Sequence, residues 1–251
     1  MSVHNRQLSA KRNIGRSVSL LKAFQYEGSN PEQFGIIMAQ DTVNRLSEYL
    51  DLSDKIVVDV GGGSGYVGEL LRQVGASAYT VEYDENEMIL GEHSFTGGVR
   101  GDGRYLPIRD SIVDVSYSSN VLEHVEGPAL MLEEMARVLR PGGLLYLGFT
   151  NWLSPWGGHE TSPYHYLGGS WSARRYERKY GRAPKNLFGL SLFKLHISDV
   201  LKWAKSAKSL DIQAVFPRYY PKWTNFVVKI PLIREVITWN LVIVLKKTSN
   251  V

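Results

Sequence analysis

The chain has 251 residues, 43% hydrophobic and 22% charged, enough to bury a full core as one large domain or one domain with an elaboration. It has no cysteine, which excludes disulfides, thiolate metal sites and cysteine nucleophiles. A net charge of +4 suits an anionic substrate, a membrane surface or nucleic acid and selects none of them, and no uninterrupted apolar run reaches the length of a bilayer span.

The basic residues of 1–16 are followed by no apolar segment, so no secretory signal is expected, and residues 1–13 are expected to fray. Ile14–Phe24 reads as a short helix with Ile14, Val18, Leu20 and Leu21 apolar. Asn30-Pro31 predicts a helix start: a capping residue, proline at the first helical position, and Gln33 three residues after the cap. Phe34, Ile37, Met38, Val43, Leu46 and Leu50 give this helix a core stripe to about Leu50, and it is expected to close over the ligand site.

Ile56, Val57, Val58 and Val60 make a β-branched run of the kind buried on both faces of a parallel sheet. It enters Gly61-Gly62-Gly63-Ser64-Gly65, and Tyr66–Val74 then has helical spacing with Gly75 as its stop. Missing side chains let a ligand approach the backbone, and the helix N-terminus offers free N–H groups. The glycines fit two spacings. Gly63, Gly65 and Gly68 satisfy the dinucleotide pattern G-x-G-x-x-G, while Gly61, Gly63 and Gly65 satisfy G-x-G-x-G with Asp59 before it. A carboxylate at that strand end suits an ammonium group and repels a pyrophosphate.

Ala78–Val81 predicts a second strand. Glu82, 21 positions after Gly61, stands where an acid reaches a ribose diol, with Asp84 as the competing position. A short strand then leads to the polar turn Gly101-Asp102-Gly103. Its carboxylate can accept from an exocyclic amine, and the N–H of Gly103 or Arg104 can serve a ring nitrogen. Ser111–Tyr117 reads as strand four with Ser118-Ser119-Asn120 as its loop. Helices follow over Val121–Val125 and Pro128–Leu139, and after Arg140–Gly143 strand five covers Leu144–Phe149.

In this order, DVGGGSG, VEYD, GDGRYLP, VDVSYSSNVLEHV and RVLRPGGLLYLGF resemble the class I S-adenosylmethionine (SAM)-dependent methyltransferases of the broad small-molecule and lipid type, over about residues 55–150. The resemblance implies an α/β, Rossmann-like fold: a seven-stranded, mostly parallel sheet with an antiparallel last strand and helices on both faces. It implies SAM as cofactor and S-adenosylhomocysteine as product. Gly61, Gly63 and Gly65 would lie against the methionine part with Asp59 behind them, Glu82 on the ribose, Asp102 and Gly103 at the adenine, and Ser118 or Asn120 beside the sulfonium.

Beyond Phe149 the family pattern is interrupted by about 45 residues, Thr150–Leu195, before the next helix at His196–Lys205. Trp152, Trp156, Tyr164, Tyr166, Trp171, Tyr176, Tyr180, Phe188 and Phe193 fall in this insertion. Such a long connection at the carboxyl end of a strand reads as a lid and acceptor pocket, with a purely stabilising cover as the bland alternative. One domain is expected over 1–251: N-terminal helices 1–54, SAM-binding core 55–150, lid 151–195 and the rest of the sheet 196–251. Strands are expected at Asp211–Phe216 and Thr238–Leu245. The aromatic segment Pro217–Val236 between them either packs on the lid or faces a membrane surface.

Holding an acceptor in line with the methyl group carries much of methyl transfer, and an oxygen or nitrogen acceptor also needs to lose a proton. Base candidates are His159, Glu160 and His165 in the lid and His124 in LEHV, with a loop-ordering role as the alternative for His124. Nothing fixes His159, Glu160 and His165 as ligands, and no metal is expected. The basic run Arg174, Arg175, Arg178, Lys179 and Arg182 is either a solvated face or a hold on an acceptor phosphate or carboxylate.

The lid string NWLSPWGGHETSPYHYLGG also resembles methyltransferases of mycolic-acid-producing actinobacteria, a group linked with envelope glycolipids. That resemblance implies a lipid or glycolipid acceptor, amphipathic or anionic, in cell-envelope lipid metabolism. The expected location is cytoplasmic with peripheral membrane contact, and no nucleic-acid partner is expected. A nicotinamide-dependent oxidoreductase and a non-catalytic SAM-binding membrane module are the competing readings.

Overall fold

The computed structural model describes residues 14–26, 29–89 and 97–248, so the fraying expected of residues 1–13 lies outside the described residues. Residues 14–23 form helix α1. It buries Leu20 and Ala23 but leaves Ile14, Val18 and Leu21 on the outside. Helix α2, Pro31–Leu46, starts as its cap predicts: Asn30 Oδ1 accepts the Gln33 N–H at 3.2 Å, and the Asn30 amide reaches Gln33 Oε1 at 3.3 Å. It ends at Leu46 rather than Leu50, running out in backbone turns through Leu50.

The remaining elements alternate along the chain. They are β1 (Ile56–Val60), α3 (Tyr66–Gln73), β2 (Ser77–Glu82), α4 (Glu85–Ile89), β3 (Gly98–Arg100), β4 (Val113–Ser119), α5 (Pro128–Val138) and β5 (Leu139–Thr150). There follow α6 (Gly169–Tyr180), α7 (Ile197–Ser206), β6 (Leu210–Pro217), α8 (Ile233–Ile237) and β7 (Asn240–Lys247). The seven strands lie in the order β3-β2-β1-β4-β5-β7-β6, and β7 alone runs antiparallel to its neighbours. This is the doubly wound sheet that the sequence implies.

The two-residue period of the strands sorts their side chains into two cores. Val58 and Val60 of β1, Leu145, Leu147 and Phe149 of β5 and Leu241, Ile243 and Leu245 of β7 pack with α5 and α7 on one face. Val57, Leu144, Tyr146, Val242 and Val244 pack with α2 and α3 on the other. Leu147 is fully buried, and its truncation to alanine removes about 2–5 kcal/mol.

Several boundaries differ from the sequence expectation, β7 among them at Asn240–Lys247 rather than Thr238–Leu245, and two of them have a clear physical reason. Strand β4 spans Val113–Ser119, two residues later than Ser111–Tyr117, and Ser118 lies fully buried inside the sheet and does not mark its end. Strand β5 begins at Leu139, so Arg140–Gly143 ends the helix while staying in the strand. The register steps from Val113 opposite Leu139 to Val115 opposite Leu144, and Gly142 at φ 82° lets the extra residues bulge.

The insertion is ordered. It contains 3-10 turns at His159–Thr161 and Tyr164–Leu167 ahead of α6. Its two ends are joined by Trp152 N–H to the Leu195 carbonyl at 2.8 Å, and Asn151 Nδ2 ties it to the Thr238 carbonyl just before β7 at 2.7 Å.

Candidate active site at the carboxyl ends of the strands

The loop after β1 takes left-handed backbone at Gly61, Gly63 and Gly65, with φ of 76°, 51° and 79°. These values strain any residue with a Cβ. A Cβ at Gly63 or Gly65 would meet nothing within 4 Å, so the backbone there faces open space. One at Gly61 would strike Val121 at 2.4 Å, and one at Gly62 would strike Asp59 Oδ2 at 2.6 Å. Asp59 is 1% exposed, and its Oδ2 has no hydrogen-bond partner among the described residues. Burial, with the Glu82 carboxylate adding repulsion, raises its carboxyl to about 8. An acid held behind an open glycine cradle matches a ligand whose ammonium group would restore its ionised form, as the methionine end of SAM does. The residues present fit that cofactor.

Glu82, at the end of β2, is turned to the same loop. Its Oε2 accepts the Gly63 N–H at 2.9 Å, and its Oε1 accepts from Tyr83 and Asp84 at 2.8 and 2.9 Å. The competing Asp84 instead caps α4 through the Asn86 N–H at 2.9 Å. On the next turn, Asp102 is gripped by its neighbour. Arg104 Nη2 reaches Oδ2 at 2.8 Å, and the Arg104 N–H reaches Oδ1 at 2.9 Å. The guanidinium hydrogen bond holds the Asp102 carboxyl below the usual range. Gly103 is a packing necessity, since its Cβ would lie 2.9 Å from Val60.

Ser118 and Asn120 have separate fates. Ser118 is fully buried and donates its hydroxyl to the Val60 carbonyl at 2.8 Å, latching β4 to β1. Asn120, with φ 58°, stands at the strand end, where its Oδ1 accepts from Asn240 Nδ2 at 2.7 Å.

The four base candidates do not form one group. Glu160 is exposed and accepts from Asn186 Nδ2 at 2.9 Å. His165 is 1% exposed, edge-on to Trp152 at 5.2 Å between ring centres, with Nδ1 3.3 Å from Ser162 Oγ. His124 and His159 do meet, with ring centres 5.0 Å apart, and Glu123 joins them. Burial, then the charges of His124 and His165, pushes His159 down to about 3, so it is a neutral imidazole and a weak base. Burial raises the Glu123 carboxyl.

Sequence reasoning did not single out Glu123, although it adjoins His124 in LEHV. Nor did it single out Arg218 or Trp239. Arg218 is 2% exposed and bonds Ser119 Oγ at 2.6 Å, Thr42 Oγ1 at 2.8 Å and the Met38 carbonyl at 3.2 Å, fastening the end of β6 to α2. Trp239 gathers rings from three regions: Phe24 at 4.8 Å, Trp156 of the insertion at 4.7 Å and Tyr219 at 5.5 Å. It immediately precedes β7, whose Asn240 pairs with Thr150 at the carboxyl end of β5. The aromatic wall therefore stands at the ligand end of the sheet, beside Asn120.

Residues 58–147 match the model of a methyltransferase domain. A protein of Mycobacteroides abscessus, named an uncharacterized methyltransferase, is 45% identical over 246 residues, covering 93% of this chain and 94% of its own. One of Mycolicibacterium gilvum with the same name is 42% identical over 251 residues, covering 96% and 98%. Among solved structures, a SAM-dependent methyltransferase from Mesorhizobium loti superposes with a TM-score of 0.56 at 18% identity, over 83% of this chain and 98% of that one. The magnesium protoporphyrin IX methyltransferase of Synechocystis PCC 6803, with S-adenosylhomocysteine bound, does so with 0.52 at 16%, over 86% of each.

Proposed function

The chain belongs to the class I SAM-dependent methyltransferases, in the group of the mycobacterial relatives, and from that premise we propose that its acceptor is a small amphipathic molecule of the lipid or glycolipid kind, in cell-envelope lipid metabolism. SAM supplies a methyl group on a positively charged sulfur. The chain's part is to seat it, to line up the acceptor and to keep water out. Asp59, the Gly61–Gly65 backbone and Glu82 take the first task, with Asp102 at the nucleoside end.

The observation that carries the acceptor proposal is the wall of Phe24, Trp156, Tyr219 and Trp239 beside Asn120. Tyr219 is buried with Phe24 and Trp239 packed against it, and Trp156 is the exposed ring of the four, so the wall offers an acceptor's apolar body an apolar backing with one open ring. In the basic run of α6, Arg174, Arg178 and Lys179 are exposed, and Arg175 lies over the Tyr164 ring at 3.5 Å. Incubating the protein with methyl-labelled SAM and fractionated cell extract tests the proposal. Label is expected in the lipid fraction, and label confined to protein or RNA overturns it.

A peripheral membrane contact is part of the same reading. Trp223, Phe226 and Leu232, exposed by 69%, 55% and 80%, stand near Lys222, Lys229 and Arg234. No helix among the described residues is long and apolar enough to cross a membrane. A surface contact would place the protein in the cytoplasm against the inner leaflet. Co-sedimentation with anionic liposomes, reduced in Trp223→Ala, is the expected result, and no co-sedimentation removes this part.

A further inference from the structure

Glu123, His124 and His159 each offer one ligand atom, and these atoms lie within 4.8 Å of one another. The first two sit on the 3-10 turn Leu122–His124, next to Val121 that packs on Gly61, and the third comes from the insertion. Glu123 is 1% exposed, and its Oε2 is buried with no hydrogen-bond partner among the described residues. His159 Nε2 is in the same position. A buried polar atom left unpaired is costly, and proteins normally satisfy it with a group, a water or an ion.

The shell around these atoms is already built. The Thr150 N–H holds Glu123 Oε1 at 3.1 Å and the Phe193 N–H holds the Glu123 carbonyl at 2.8 Å. His124 Nδ1 lies 2.6 Å from the Ser191 carbonyl, which only accepts, so Nδ1 carries the proton and Nε2 keeps its lone pair. An imidazole anchored through one nitrogen to a carbonyl with the other left open is the usual posture of a metal ligand.

We propose that Glu123, His124 and His159 form a divalent-metal site of the two-histidine, one-carboxylate type, leaving the ion's remaining positions for other ligands. Zn²⁺, Mn²⁺, Fe²⁺ and Co²⁺ are the ions this donor set takes. Bonds of about 2.1 Å to a tetrahedral ion space their ligands by about 3.4 Å, so the trio closes by side-chain adjustment alone. Its use in catalysis rests on the methyltransferase reading, whereas its capacity for metal does not. Transfer to a hydroxyl requires the O–H proton to leave for water as the C–O bond forms. The carbon–sulfur bond breaks, and its electron pair stays on sulfur. A cation at this trio would ease that proton loss for an acceptor oxygen brought to it.

The test uses full-length, untagged, metal-stripped protein titrated with ZnCl₂ by calorimetry and with CoCl₂ by visible absorption. One ion per chain is expected, with cobalt ligand-field bands. Glu123→Gln and His159→Ala are each expected to weaken binding at least tenfold and leave the SAM dissociation constant within twofold. Failure of saturable binding in the wild-type protein overturns the site, as does wild-type affinity in both variants. The cobalt bands are read on the wild-type chain, so a variant that misfolds does not protect the proposal. Loss of the methyltransferase reading would appear separately, as absence of SAM binding with or without metal.

Discussion

The two sides of the cleft are built on opposite principles. On the cofactor side, residues 56–104 hold their groups by backbone: three positive-φ glycines, and a Glu82 carboxylate fixed by three main-chain N–H donors. On the proposed acceptor side, side chains remote in sequence converge, with Phe24, Trp156, Tyr219 and Trp239 in one aromatic cluster and Glu123, His124 and His159 in one polar cluster. A ligand shared by many enzymes can be met by a conserved backbone shape, while a private acceptor needs a surface that is free to vary. If this division holds, changes on one side should leave binding on the other untouched.

The largest effect is expected at Asp59. An acid whose folded-state pKa, about 8, lies above its ordinary 3.8 binds more protons folded than unfolded. The resulting stability is present in full below about pH 4 and is lost as pH rises to about 8, an upper limit on the order of 5 kcal/mol. Thermal unfolding of the SAM-free protein should therefore show a falling midpoint across this window, and Asp59→Asn should flatten it. Unchanged pH dependence in the variant would assign the slope elsewhere. Next comes Gly63→Asp, which puts a charged Cβ-bearing residue on left-handed backbone at the open cradle. Calorimetry should show SAM affinity reduced by about 100-fold or more, roughly 3 kcal/mol, with the circular dichroism spectrum retained.

These two sites were legible in the sequence because their signals are local. A β-branched run into G-G-G-S-G determines strand, loop and helix within a few residues, and Glu82 follows at a distance set by one β-α-β unit. Strand β4 was misplaced by two residues because Ser118 looks like a surface residue but is satisfied inside the sheet by the Val60 carbonyl. Arg140–Gly143 was legible as a helix stop but not as a bulge within β5, which depends on pairing with β4. The acceptor side was legible only as a supply of rings. Nothing in the spacing of Trp156 and Trp239 says that they touch, or that His159 meets Glu123 rather than Glu160.

Two smaller effects sharpen the comparison. Glu82→Gln replaces an oxygen that accepts a main-chain N–H with an amide donor, so one of three bonds is lost. SAM affinity should fall about tenfold and stability by about 1–2 kcal/mol, with the acceptor KM unmoved. Trp239→Ala should do the reverse, raising the acceptor KM several-fold at unchanged SAM affinity. An equal loss on both axes would mean that the two sides are one unit. Smallest of all is Trp223→Ala, which on an exposed position should change stability by no more than about 0.5 kcal/mol.

The reversed direction of β7 has an evolutionary corollary. Because β6 ascends with its fellows and β7 descends between β6 and β5, residues 218–239 leave and re-enter the sheet at one and the same rim. The excursion is a handle fastened at both ends beside the cleft. Its exposed middle, around Trp223, Phe226 and Leu232, takes part in no strand pairing, so length and side chains can change there with every register left as it is.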